Sequence, residues 1–188
     1  MSRVSIANRA IAYIGDNKIT DLSDETLTAK SINNVYLDSL KSILSECCWN
    51  FAKKRVMLNK LTVQPAWGGG NYFQIPADVV RIFKTTAKNW EIEGNYIKTP
   101  ESEIGILYTY LCEDDNRYPP AFVDAFACRL ASDICYDLTN NSSKQMELLE
   151  LYEGHFLPIA KSMNARDKSG EEVQDGAWVN SVYDGRWD

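Results

Sequence analysis

The stretch 119–138 constrains this chain more than any other. After Pro119-Pro120, Phe122, Phe126, Leu130, Ile134 and Leu138 recur at four-residue spacing. Ala127 and Ala131 carry the apolar character round most of the helix, leaving Arg129, Asp133 and Asp137 as a narrow charged strip. A helix this apolar belongs in the middle of a bundle, with other helices around it. Proline pre-sets the first turn, and Asn140-Asn141-Ser142 turns the chain at the far end.

Three further segments have helical periodicity. Residues 2–14 place Val4, Ala7, Ile11 and Ile14 on one stripe, ended by Gly15-Asp16-Asn17. A longer helix is expected after Ser23 as N-cap, with Asp24 and Glu25 near its positive end. Its buried side is Leu27, Ile32, Val35, Tyr36, Leu40, Ile43, Leu44 and Cys47, and it stops near Cys48-Trp49. The last helix turns Met146, Leu149, Tyr152 and Phe156 inward, and Pro158 predicts a kink or break at the Gly154 carbonyl.

Between the second and third helices the period changes. Residues 51–61 mix β-formers with Lys53, Lys54 and Arg55, and short strands are expected at 72–75, 80–86, 90–93, 96–99 and 106–111. Gly94-Asn95 makes a tight hairpin turn. Trp67-Gly68-Gly69-Gly70 has no phosphate-loop lysine and no helix after it, so it is expected to be a flexible loop tip. The fold expected from these patterns is α+β but mainly helical. It is an antiparallel four-helix bundle with a β-rich insertion between helices 2 and 3 and an extended C-terminal arm. The divisions are 1–49 and 119–164 for the helical body, 50–118 for the insertion and 165–188 for the arm.

At 188 residues the chain suits one elaborated domain. No apolar run is long enough to cross a bilayer, and the opening apolar stretch is too short for a signal peptide, so use in a cytoplasm is expected. The formal charge of −6 argues against a general nucleic-acid binder held by phosphate contacts. The five cysteines lack zinc-site spacing and read as reduced thiols, and no cofactor is expected.

Three clusters invite chemistry. Glu113-Asp114-Asp115 suggests a metal-dependent hydrolase but lacks the calcium-loop pattern, and a solvated turn accounts for it better. Lys53, Lys54 and Arg55 beside Trp49 and Phe51 suggest a basic contact patch for single-stranded nucleic acid or an acidic protein; protection of a strand edge accounts for them equally well. His155, the only histidine, sits among helix acids with no nucleophile marked out for it.

Residues 165–188 are rich in charge and glycine, yet they carry Val173, Trp178, Val179, Val182, Tyr183 and Trp187. Disordered segments are poor in aromatics. Burying these side chains yields about 22 kcal/mol, if each aromatic covers ~200 Å² and each valine ~100 Å². Ordering about 15 residues costs ~15–30 kcal/mol. The two terms nearly cancel, so the arm is expected to order on a preformed groove of a partner, the alternative being that it folds back over its own domain.

The order of these elements resembles the head-to-tail adaptors of short-tailed bacteriophages, the tail tubular protein A family. Residues 7–15 (Ala-Asn-Arg-Ala-Ile-Ala-Tyr-Ile-Gly) are similar to that family's first helix and glycine stop. Residues 22–52, closing with Cys-Trp-Asn-Phe-Ala, resemble its second helix and aromatic exit. Residues 72–82 resemble its strand–Pro-x-Asp–strand segment, and 90–99 the hairpin after it. Tyr118-Pro119-Pro120-Ala121-Phe122 and residues 148–165 resemble its last two helices. The resemblance implies a virion structural protein at the head–tail junction, assembled in the host cytoplasm, with no catalysis and no membrane contact. Its copies form a ring, expected to be dodecameric, that continues the channel through which DNA passes without specific binding. Trp178, Val179, Val182, Tyr183 and Trp187 would bind the portal protein, while Trp67, Gly68, Gly69 and Gly70 would face the tail nozzle or a neighbouring subunit.

Overall fold

A computed structural model describes residues 2–167. Helix α1 (Arg3–Ile14) begins where the Ser2 side chain accepts from the Ser5 N–H. It ends at Gly15, whose φ of +85° lets its N–H bond back to the Ile11 carbonyl. Helix α2 (Leu27–Glu46) is capped by Thr26, which accepts from the Ala29 N–H, and not by Ser23. Ser23 and Asp24 serve the preceding turn instead: the Asp24 carboxylate accepts from the Thr20 and Asp21 N–H groups, and Asp21 accepts from Ser23. Helix α3 (Pro120–Thr139) starts with proline in its first turn and ends at left-handed Asn140.

The last helical run comprises α4 (Ser142–Leu151), a π turn (Tyr152–Phe156) and α5 (Leu157–Arg166). The helix does not break at Pro158, and the distortion expected at Gly154 takes the form of the π turn. One wide turn, in which the Leu157 N–H reaches the Tyr152 carbonyl, carries the helix past the proline. The π turn moves the buried position after Tyr152 to Leu157, so the buried stripe reads Leu148, Tyr152, Leu157, Ala160 and Asn164; Met146, in α4 before that turn, is exposed. Leu148, not Met146, is the inward residue.

Among the described residues six strands make two antiparallel sheets. The first has β1 (Lys53–Met57), β6 (Gly105–Tyr110) and β3 (Val79–Thr85) in the order β1-β6-β3. The second has β2 (Asn71–Gln74), β5 (Tyr96–Thr99) and β4 (Glu91–Glu93) in the order β2-β5-β4. The β4–β5 connection is the expected Gly94-Asn95 turn, with Gly94 at φ +59° and Glu93 opposite Tyr96.

These elements stack as three layers. One side of the first sheet faces the helices: Thr109, fully buried, donates to the Cys47 carbonyl at 3.3 Å, and Arg81 donates to the Ser45 carbonyl at 2.8 Å. The other side, with Ile106 and Tyr108, packs on Phe73 and Ile97 of the second sheet in a core of its own. Helical and sheet layers are joined by rings. Trp49 is buried, donates to the Ile43 carbonyl at 2.9 Å and meets Phe122 edge-on at 5.0 Å. Phe51 and Tyr118 reach the same Phe122 ring at 4.7 and 5.1 Å.

This architecture overturns the expected mainly helical four-helix bundle. About half of the described residues are helical, and the remainder is organised around two three-stranded sheets. Because α3 is apolar on nearly every side, α1, α2, α4 and α5 all pack on it, while α1 and α2 barely meet. The helices therefore form a hub with spokes. Residues 53–110 form a two-layer sandwich with its own buried cluster, which seats its first sheet against α2.

Candidate functional site

The outer sheet carries its polar and aromatic side chains on the face away from the core. Pairing sets Tyr72 and Glu91 on either side of Lys98, and Glu93 opposite Tyr96, all on one face. The Lys98 ammonium lies 2.7 Å from Glu91 Oε1 and 3.2 Å from Glu93 Oε1. The Tyr72 hydroxyl donates a short hydrogen bond to Glu93. Its ring centre is 5.5 Å from that of Tyr96. These contacts move the titrations in consistent directions. Glu91, then Glu93, raises Lys98; Tyr72, then Lys98, lowers Glu93; and Glu93 raises the Tyr72 hydroxyl. The charges thus satisfy one another, and the aromatic faces remain for a partner.

The loop before β2 completes this tip. Gly68, Gly69 and Gly70 take φ of +82°, +66° and +95°, a left-handed run closed to ordinary side chains. At Gly70 a Cβ would sit 3.1 Å from the Thr99 carbonyl oxygen. The run lays the loop against β5 and holds up Trp67, which is 84% exposed, with Lys98 Nζ 5.7 Å from its ring centre. Across a cleft of about 480 Å³ stands Trp90, 41% exposed. Two large aromatics left in water on one tip mark an interaction surface. Trp90 was readable as part of it only through its place beside the Gly94-Asn95 hairpin; nothing in its local sequence separates it from a core strand residue.

The other sequence candidates fare differently. Lys53, Lys54 and Arg55 lie on β1, an edge strand, and alternate between its faces. Lys53 donates to Asn50 Oδ1 at 2.9 Å, whereas Lys54 pairs with Asp78 at 2.6 Å and lies over the Tyr110 ring. The three cations therefore make no common patch. Glu113, Asp114 and Asp115 are likewise divided. Glu113 takes Arg3 at 2.8 Å, Asp114 caps the turn at Asn116, and Asp115 accepts from the Tyr36 hydroxyl at 3.3 Å. Burial raises Asp115 against the pull of Arg3. Among the described residues no three His, Cys, Asp or Glu side chains group as metal ligands, and no helix is long and apolar enough to cross a membrane. His155 is exposed in the π turn, edge-on to Phe156. Trp178, Val179, Val182, Tyr183 and Trp187 lie outside the described residues.

The chain matches no protein-family model and no curated protein.

Proposed function

We propose that this chain is a structural adaptor subunit of a phage head-to-tail junction. It joins the portal protein through Trp178, Val179, Val182, Tyr183 and Trp187 and forms a ring, expected to be dodecameric, around the DNA channel. The Trp67–Gly70 tip faces the tail nozzle or a neighbouring subunit. The observation that carries this reading is the exposed Trp67–Trp90 tip on the layer remote from the helices. The aromatic-bearing segment follows α5, a helix of the other layer, in sequence. A subunit that links two different partners needs two such separate contact regions. Repetition round a ring multiplies a modest affinity at each.

The test is co-sedimentation with portal rings. Protein lacking the residues after Arg166 is expected to stay in the supernatant while the portal rings sediment, and retained binding by that protein defeats the proposal.

A further inference from the structure

Strand β5 lies between β2 and β4, so the glycine loop entering β2 and residues 88–91 entering β4 flank Lys98 and Thr99. The cleft they enclose, about 480 Å³, falls in the size range of clefts that hold a ligand. Trp90 lines it, and Trp67 stands beside it, next to Gly68 and over the Lys98 ammonium.

The side chains here leave donors over. Indole and ammonium groups donate and never accept. Trp67 Nε1, Trp90 Nε1 and Lys88 Nζ have no acceptor among the described residues. The acceptors close by are already engaged: Glu91 and Glu93 hold Lys98, and the Asn89 carbonyl takes the Thr99 hydroxyl at 2.7 Å. Charge balances as well, Lys88 and Lys98 against Glu91 and Glu93, so the cleft has no net field to hold a polyanion. The ligand that fits is uncharged, rich in acceptors, poor in donors and able to lie on an indole face.

A polyproline II segment has those properties. Its prolines lack N–H groups, its carbonyls make no internal hydrogen bonds, and its rings are apolar. Aromatic-lined grooves are the receptors such segments dock on. A sugar, by contrast, brings a donor with every hydroxyl. Little order has to be created on binding, because the polyproline helix is preformed and Gly70 pins the loop close to the Thr99 carbonyl.

We infer that the cleft between the glycine loop and Trp90 binds a proline-rich, extended segment of a partner protein, with Trp67, Trp90 and Lys88 donating to its carbonyls. This rests on the reading of the tip as a partner-facing surface and on nothing at the portal end.

The test uses full-length protein without portal, labelled with nitrogen-15 on tryptophan, and a proline decamer as probe. Trp67→Phe and Trp90→Phe assign the two indole signals, with circular dichroism as the control for folding. Both signals are expected to shift saturably, with a Kd below about 1 mM, while that of the buried Trp49 stays in place. Phenylalanine keeps a ring and deletes the donor, so each variant is expected to bind the decamer about fivefold more weakly. Absence of shifts, equal shifts with a glycine–serine decamer, or undiminished binding by both variants overturns the inference. So does tighter binding of a thymidylate decamer, because the cleft would then be a nucleic-acid site. The portal sedimentation test turns on the residues after Arg166, so its outcome is independent of all of these.

Discussion

Asn164→Ala tests whether the seam between the helices and the sheets is held by one amide. Asn164 is 8% exposed; its Oδ1 accepts the Asn50 N–H at 2.7 Å and its Nδ2 donates to the Cys48 carbonyl at 3.2 Å. Alanine removes both bonds, along with a weaker one from Nδ2 to the Cys47 sulfur at 3.6 Å, and leaves the Asn50 N–H stranded where little water reaches. Two net hydrogen bonds and one unsatisfied donor together cost about 2–4 kcal/mol. At an m-value of about 2 kcal/mol per M, the urea midpoint falls by about 1–2 M. Asn50→Ala is the contrast. It loses the bond from Nδ2 to the Asn164 carbonyl and the one its Oδ1 accepts from Lys53, but it keeps the backbone N–H paired, so it is expected to cost about 1–2 kcal/mol. Far-UV circular dichroism in urea reads both. A midpoint shift below about 0.25 M for Asn164→Ala, or a larger loss for Asn50→Ala, refutes the reasoning.

Glycine substitutions in the tip loop separate backbone strain from collision. Gly69→Ala meets only a left-handed φ of +66° and open space, costing about 1 kcal/mol, whereas Gly70→Ala also drives a Cβ to 3.1 Å from the Thr99 carbonyl oxygen and costs more. Equal thermal midpoints for the two variants would contradict the geometry. Alkaline pH probes the buried thiol and hydroxyls. Burial raises the Cys128 thiol from 9.0 to about 11 and the Tyr108 hydroxyl from 10.0 to about 12, and it also raises Tyr36, Tyr118 and Tyr152. The folded state keeps protons that the unfolded chain sheds. Stability is therefore full below pH 9.0, falls as pH rises towards 11 and falls more steeply once the tyrosines join. Urea midpoints at pH 8, 9.5 and 10.5 measure the slope, and Cys128→Ala flattens its first part.

Much of the local structure was legible because one element decided it. The apolar circumference of α3 marks it as the centre, and the strands fall within a residue or so of their β-former runs. Gly15 and Gly94 act where their turns require positive φ. The features that stayed hidden depend on pairing at long range. No local signal tells β1 to take β6 as its neighbour, with Lys53 opposite Thr109 and Met57 opposite Gly105. Nor does one separate the strands into two sheets, so the insertion read as an appendage on a bundle. Met146 was misplaced within α4 itself, where it lies about 200° round the helix from the buried Leu148; the π turn further on moves the next buried position from Phe156 to Leu157. Lys53, Lys54 and Arg55 read as a cluster because sequence neighbours look adjacent, whereas a strand sends them to opposite faces. At the candidate site, the Trp67 loop was legible through its glycines, but Trp90 joins it only by tertiary placement.

The hub arrangement matters on the ribosome. Helices α1 and α2 are made first, yet the surface they must cover belongs to α3, whose synthesis starts about 70 residues later. At 5–20 residues per second they wait about 4–15 s with Ile6, Ile11, Ile32 and Leu40 unshielded. During that interval the nascent chain is a ready client for a holding chaperone, and the sandwich, whose buried cluster draws only on residues 58–110, is the first unit able to close.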